Sequence, residues 1–525
     1  IADDNPVHFV DAFVDNLDMQ ALGFERAIPE ETGRPPYNPR DLLKVYIYGY
    51  LNRIRSSRRL EAETHRNVEV MWLLGKVTPD FKTIADFRRD NGEPIRAVYR
   101  EFTSLCRSLG FFGGELVAID GSKFKAVNSR ERNFTKRKLK ALKERAEAKI
   151  ERYLQELDEN DAQETDNKKW TKEELQEKIE WLKKRQGVYD ELQQEMEESG
   201  ESQISLTDPD ARSMTLGSNR GTEVGYNVQI SVDAKHKLIV DHEVTNECND
   251  MNQLNSMAVR AKAVLEVDSL EIVADAGYYN SQEIKDCTDQ DIVPYIPQTN
   301  SSTNKKVGLH TKEDFGYDAA NDWYWCPAGE ALRFSRCGIN RHGRKMRYYT
   351  TKACTACALK SRCIRAKGCR RIQRWEHEEC LEELAQRLQA EPEKVKQRKA
   401  LVEHPFGTIK RSMEQGYFLT RRLCNVRTEM SLTMLAYNMK RVVGLMSIEQ
   451  LLAALPGQAS GSLFAHAKAP TTRKRSHAQF DFKESRIHLP FLRLFARPRT
   501  RGSSIVHPVH TAPPHVTPAH AGVHT

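Results

Sequence analysis

Two short apolar runs that each end on an aspartate constrain this chain most: Leu116-Val117-Ala118-Ile119-Asp120-Gly121-Ser122 and Ile272-Val273-Ala274-Asp275-Ala276-Gly277-Tyr278. A brief apolar run bounded by turn-forming residues reads as a buried strand. An acid at the end of such a strand is partly desolvated and needs a cation or hydrogen-bond donors to stay charged. Taken singly, each aspartate reads as the cap of a turn, with Gly121 letting the chain bend after Asp120. Taken with Glu403, in the stretch Val402-Glu403-His404-Pro405-Phe406-Gly407-Thr408-Ile409-Lys410-Arg411, they point to three acids meeting around divalent metal ions.

The segment between the two runs supports a sheet. Val228, Ile230 and Val232 alternate with polar residues, as in a half-buried strand. His236-Lys237 makes a turn and residues 238–244 return, giving a hairpin, and residues 252–264 read as a helix. Acid-ended strands, hairpin strands and helices in this order predict a mixed sheet with flanking helices.

Around that core the pattern is helical. Pro39-Arg40-Asp41 opens a largely apolar run through Leu51, a buried helix entered through a proline. Ser57 is placed to cap the next helix, and residues 84–89 suggest another. Arg53, Arg55, Arg58 and Arg59 cluster at one junction, which fits a helix-turn-helix-like DNA-binding module or a bundle with a solvated basic edge. Leu139, Leu142, Ala146, Ile150, Tyr153 and Leu157 recur at helical spacing, and so do Leu175, Ile179, Leu182, Tyr189, Leu192 and Met196, predicting a helical hairpin. Near the C-terminal end, residues 428–446 read as a long core helix, and Pro405 implies a kink or restart beside Glu403.

The 525 residues carry 29% charged and 39% hydrophobic side chains, and no run approaches a membrane span. The net charge of +8 gives little guide to partners. After Leu455, ten Lys and Arg stand against Asp481 and Glu484, so the remainder is close to neutral and only local basic clusters can argue for DNA. That last stretch is rich in Pro, Gly, Ser, Thr and His and reads as a disordered or aberrant tail. The start at Ile1, with neither Met nor a signal-peptide pattern, implies a missing N-terminal segment and a reduced cytoplasmic setting. Of eleven cysteines, seven fall between Cys326 and Cys380; Cys326, Cys354, Cys357 and Cys363 are candidates for a structural zinc site, against buried free thiols.

Magnesium prefers oxygen ligands and keeps several waters, so a few carboxylates suffice to hold it. Two such ions can activate the attacking oxygen and stabilise the leaving one in phosphodiester displacement. Asp208, Asp210, Asp233 and Asp250 compete with the three acids for that role.

These segments resemble the catalytic motifs of bacterial DDE transposases, most closely the insertion-sequence group labelled eleven-eighty-two, over roughly residues 3–447. The resemblance also rests on Tyr46-Ile47-Tyr48-Gly49-Tyr50-Leu51, Ser56-Ser57-Arg58-Arg59-Leu60-Glu61, Asp208-Pro209-Asp210-Ala211-Arg212, Gly225-Tyr226-Asn227, Ala274-Asp275-Ala276-Gly277-Tyr278-Tyr279 and Cys326-Pro327-Ala328-Gly329. It implies an α/β catalytic core, ribonuclease-H-like, with Asp120 on the first strand, Asp275 on a later one and Glu403 on a helix. The implied organisation is a helical DNA-binding domain over 1–112 and a core from 113–130, 201–279 and 395–447. A helical-hairpin insertion covers 131–200, a Cys-rich insertion 280–394 and the tail 455–525. Glu403 and Lys410 keep the family's spacing, while Lys399 and Lys396 stand where an arginine and a tyrosine would be.

The activity implied is cleavage at transposon ends and strand transfer with Mg2+ or Mn2+ on Asp120, Asp275 and Glu403. The alternatives are a metal nuclease without strand transfer and an inactive DNA-binding remnant. Implied partners are transposon-end DNA with terminal inverted repeats, target DNA and a second copy in the DNA complex, in the bacterial cytoplasm at the nucleoid. Lys410, Arg411 and Arg421 join the N-terminal arginines as candidate phosphate contacts.

Overall fold

In a computed structural model, which describes residues 1–28, 36–162, 170–215, 221–298, 303–341, 343–365 and 367–456, the two aspartate-ended runs lie side by side. The strands in chain order are β1 (Leu116–Lys125), β2 (Asn133–Thr135), β3 (Gln203–Ser205), β4 (Arg212–Thr215), β5 (Thr222–Asp233), β6 (Ile239–Thr245), β7 (Leu270–Val273) and β8 (Ile292–Tyr295). The main sheet runs β4-β5-β1-β7-β8, with β6 also on β5. β5 is antiparallel to β1, β4 and β6, whereas β1, β7 and β8 are parallel. The chain is therefore mixed α/β, as the alternation predicts.

Six helices precede the sheet: α1 (Pro6–Asp15), α2 (Pro39–Leu51), α3 (Ser57–Arg66), α4 (Val68–Leu73), α5 (Phe81–Asp90) and α6 (Gly92–Ser108). Asn38 caps α2 by accepting from the Arg40 amide, with Pro39 in the first turn where a missing N–H does no harm. Asp80 caps α5 by accepting from the Lys82 and Thr83 amides. Ser56, not Ser57, stands at the cap of α3, and it makes no side-chain bond there. The apolar stripe of α6 (Ile95, Val98, Tyr99, Phe102, Cys106) is buried. It packs on α15 (Leu423–Val443), which is buried along most of its length. One continuous core runs from Val7 through the sheet to Leu455, so the division expected near residue 112 is not a break in the packing.

The expected hairpin is α7 (Lys136–Ala162) and α8 (Lys172–Glu198). β2 and β3 close its base, and it has its own small core of Phe134, Leu139, Tyr189, Leu192 and Met196. α9 (Leu254–Leu265) leads into β7, and after β7 come α10 (Ser281–Thr288), α11 (Thr303–Lys306) and α12 (Lys360–Cys363). With the last two goes an antiparallel sheet of β9 (Gly316–Asp318), β10 (Trp323–Trp325), β11 (Ala331–Ile339), β12 (Lys345–Thr350) and β13 (Arg371–Trp375), built over Phe315, Tyr324, Leu332, Tyr349 and Ile372. α13 (Glu378–Ala390), α14 (Pro392–Gly407), α15 and α16 (Ile448–Ala453) complete the described chain. No described helix is long and apolar enough to cross a membrane. The tail expected over 455–525 lies outside the described residues from 457 onward.

Three local expectations are corrected. β1 does not turn at Gly121 but continues to Lys125. β5 is buried on both faces from Val224 on, so its polar alternation is not a solvent face. Pro405 does not restart α14: the helix is unbroken to Gly407 and then loosens into a π-turn over Thr408–Ser412. The missing proline N–H removes one helical bond, and π-turns concentrate at functional sites.

Candidate active site

β1 pairs with β7 through Leu116–Glu271, Val117–Ile272 and Ala118–Val273. Continuing that register by two residues sets Asp120 opposite Asp275. Asp275 accepts from the Gly277 amide at 2.8 Å and so caps the short turn that follows β7. Asp120 accepts from the Gly121 amide at 2.9 Å, and its other oxygen faces Arg398 at 3.2 Å. Burial pushes the Asp120 carboxyl up to about 6 against the pull of Arg398, and the charges of Asp275 and Asp250 add to the rise. Two close carboxylates that repel each other, one of them desolvated, form a donor set that a hard divalent cation would relieve.

Asp250, in the loop after β6, is held beside this pair. It accepts from Asn227 at 2.6 Å and Gln229 at 2.7 Å and faces Lys123 at 3.3 Å. Gln229 in turn accepts a short hydrogen bond from the buried Tyr278 hydroxyl. The polar positions of β5 thus form a buried row that fixes Asp250 and Tyr278 around the acids. Gly121 makes room for it: a Cβ there would lie 2.6 Å from Asp250 Oδ1 and 3.1 Å from Asn227 Oδ1. The glycine serves close approach rather than a turn.

α14 packs across β1 with Arg398, Val402, Pro405 and, in the π-turn, Ile409 at three- and four-residue spacing along its inner face. Glu403 lies one step around. Its side chain is 65% exposed and faces Lys399 at 3.7 Å. Among the described residues no three His, Cys, Asp or Glu side chains gather as a group that could hold a metal ion. Arg398 was not singled out by the sequence; only the helix phase, set by the apolar residues that follow it, could have found it. Lys410 donates to Ser122 Oγ at 2.5 Å and to the Lys123 carbonyl at 2.9 Å, tying the π-turn to β1 just past Asp120.

The competing acids have structural partners. Asp208 accepts from the Arg422 amide and the Tyr226 hydroxyl, and Asp210 from the Leu423 amide, so together they secure the start of α15. Asp233 accepts from the amides of Gly113, Gly114 and Lys235 and closes a loop. Of the basic candidates, Arg58, Arg59, Arg411 and Arg421 are exposed, and Arg53 is half-exposed with Glu414 at 3.9 Å. Arg55 is 7% exposed; it pairs with Glu429 at 3.3 Å and donates to the carbonyls of Tyr417 and Glu414. It is an internal strut with no face left for a phosphate. Cys326, Cys354, Cys357 and Cys363 line one small cavity, and Cys354 also lies against Cys369. They do not gather as a metal group, so the arrangement gives the zinc expectation no support.

Two stretches of the chain match transposase family models. Residues 1–90 match the Transposase domain (DUF772), and residues 325–443 match the Transposase DDE domain. The second match contains Glu403 and Lys410 and leaves Asp120 and Asp275 outside it. The two matches support a DDE-type transposase. No curated protein matches. Among solved structures, a cryo-EM structure of a piggyBac transposase synaptic complex with hairpin DNA aligns over 90% of each chain at 9% identity, with a TM-score of 0.27. An overlap that loose carries no argument about this chain.

Proposed function

We propose that this chain is a DDE transposase, of the eleven-eighty-two insertion-sequence group, that cleaves DNA at transposon ends and joins the freed ends to target DNA. The observation that carries the reading is the pair Asp120, within β1, and Asp275, two residues past β7, which the parallel pairing of the two strands sets opposite each other when continued by two residues, in a chain matched in part by two transposase models. The strand order β6-β5-β1-β7-β8, antiparallel up to β1 and parallel beyond it, supports a ribonuclease-H-like core. The second sheet would then be an insertion ahead of α14.

Asp120 and Asp275 offer carboxylate oxygens that fit Mg2+ or Mn2+, with Glu403 on α14 as the third acid. Divalent ions held there would activate the attacking oxygen and stabilise the leaving one. In the first step water attacks a phosphorus at the transposon end; the new P–O bond replaces the bond to the 3′ oxygen, which leaves as a hydroxyl. In the second step that hydroxyl attacks a target phosphodiester, so one ester bond forms as one breaks. Arg398 supplies positive charge beside Asp120 and is placed to meet a non-bridging phosphate oxygen. Lys410 holds Ser122 and β1 in position, and the Asp250 network keeps Tyr278 and Gln229 fixed behind the acids.

The test is incubation of the element's own end DNA with the protein in magnesium and in chelator, followed by a strand-transfer assay. Wild type should cut only with magnesium. Asp120→Ala, Asp275→Ala and Glu403→Ala should each lose roughly 1000-fold or more of cleavage while keeping DNA binding. Undiminished magnesium-dependent cutting by all three would refute the assignment, and cutting without strand transfer would leave a nuclease.

A further inference from the structure

A cavity of about 580 Å³ opens between α5 and the start of α15, away from the acid pair. Arg88 and Arg89 enter it from α5, Arg421, Arg422 and Asn425 from the start of α15, and Thr207 from the loop after β3. It therefore sits where the two transposase-matched segments meet.

Two of its four arginines, Arg421 and Arg422, have no acidic partner among the described residues. Asp86 is the acid in the lining, and it is engaged with Arg89 at 2.6 Å. Arg88 is mostly buried over the Tyr46 ring, feels the charge of the Glu429 carboxylate, and makes one long hydrogen bond, 3.4 Å, to the Tyr50 hydroxyl. Arg421 reaches only the Thr207 carbonyl, at 3.4 Å. Arg422 has no side-chain hydrogen bond or ion pair among the described residues, and its backbone is held at φ 70, a conformation unfavourable to any residue with a side chain. The Thr207 hydroxyl oxygen is buried in this wall without a hydrogen-bond partner. The first amides of α15 are taken by Asp208 and Asp210, so the guanidinium groups, not the helix end, are what an anion would meet. Strain at Arg422, an orphaned hydroxyl and three under-used guanidinium groups around one open cavity are features of a built anion site.

We infer that this cavity is a DNA-backbone site, in which Arg421 and Arg422, backed by Arg88, grip a phosphodiester and so lock the N-terminal helices and the core onto one duplex. Planar guanidinium groups match phosphate oxygens in pairs, which explains arginine rather than lysine at these positions. The inference rests on the transposase reading and deepens it: Arg421, already a candidate phosphate contact, is joined by Arg422, Arg88 and Thr207 in one cavity. A backbone grip is indifferent to base sequence and shows in the salt dependence of binding.

The test is fluorescence anisotropy with a duplex of the element's end and an unrelated duplex of equal length, over a salt series. Arg421→Gln/Arg422→Gln should weaken both duplexes roughly tenfold at low salt and lower the slope of log affinity against log salt by about 1 to 2. Asn425→Asp, which adds a negative charge to the same wall, should weaken both in the same direction. Both variants should keep the wild-type melting temperature. Unchanged affinity and slope in both variants, with wild-type cleavage of end DNA, would overturn the site and leave the transposase reading standing. A loss confined to the end duplex would overturn the backbone assignment. A wild-type protein that binds neither duplex would overturn both readings together.

Discussion

Replacing Asp120 by Asn should make the metal-free protein more stable above about pH 6 and leave it unchanged near pH 4. The carboxyl ionises at 3.8 in an ordinary setting and at about 6 when folded, chiefly because it is buried. Below 3.8 it is protonated in both states and contributes nothing. As pH rises the unfolded chain gives up its proton first, so stability falls until the native group ionises near 6 and stays low above it. At about 1.4 kcal/mol per pH unit the loss is roughly 3 kcal/mol. Asn has no proton to lose and can still accept from the Gly121 amide, and the pull of Arg398 is already contained in the raised value, so the net gain should be up to about 3 kcal/mol. Urea unfolding midpoints from pH 4 to 8 in chelator measure it as the difference between variant and wild type, which cancels the other titrating groups. Magnesium at about 100 times its dissociation constant should then stabilise wild type by about 2.7 kcal/mol and the variant far less. A stability difference that does not change with pH, or equal stabilisation of both proteins by magnesium, would refute the argument.

Arg55→Ala should cost about 3–5 kcal/mol, because it removes the ion-pair partner of the buried Glu429 carboxylate, which keeps only the Leu419 and Thr420 donors, and leaves the Tyr417 and Glu414 carbonyls without theirs; Arg58→Ala and Arg59→Ala should stay within about 0.5 kcal/mol of wild type and instead lower DNA affinity. Thermal melting and anisotropy separate the two effects, and an Arg55→Ala protein of normal stability would show that the strut is not needed. Gly121→Ala should cost about 1–3 kcal/mol and impair cleavage, since its methyl would displace Asp250 and Gln229 from behind the acids. Wild-type melting and cleavage in that variant would mean the polar row yields freely.

Much of this organisation is legible in the chain itself. The acid-ended runs announce β1 and β7, because an unbroken apolar stretch of that length is stable only as a strand covered on both faces. The hairpin α7–α8 follows from apolar spacing alone, and α15 from a long run of helix formers. Asp120 and Asp275 stand out as candidates for a related reason: a charge that closes a buried apolar run is anomalous whatever surrounds it.

Other assignments depended on what packs across. Asn227 and Gln229 look like the wet side of a strand, yet they lie buried beneath the Asp250 loop, a contact between residues over twenty positions apart. Arg55 looks like one of four equivalent arginines, and only the return of residues 414–429 makes it internal. Lys399 occupies the family's arginine position, but one residue of helix turns a side chain by about 100°, and the packing of α14 on β1 presents Arg398 to Asp120 instead. Periodicity and residue chemistry act over a few neighbours, so they are enough to read the strands, the helices and two candidate acids. Burial and charge environment come from surfaces distant in the chain, so the packing sets which arginine faces the acids, which polar row supports them, and where a second cluster of guanidinium groups is left open.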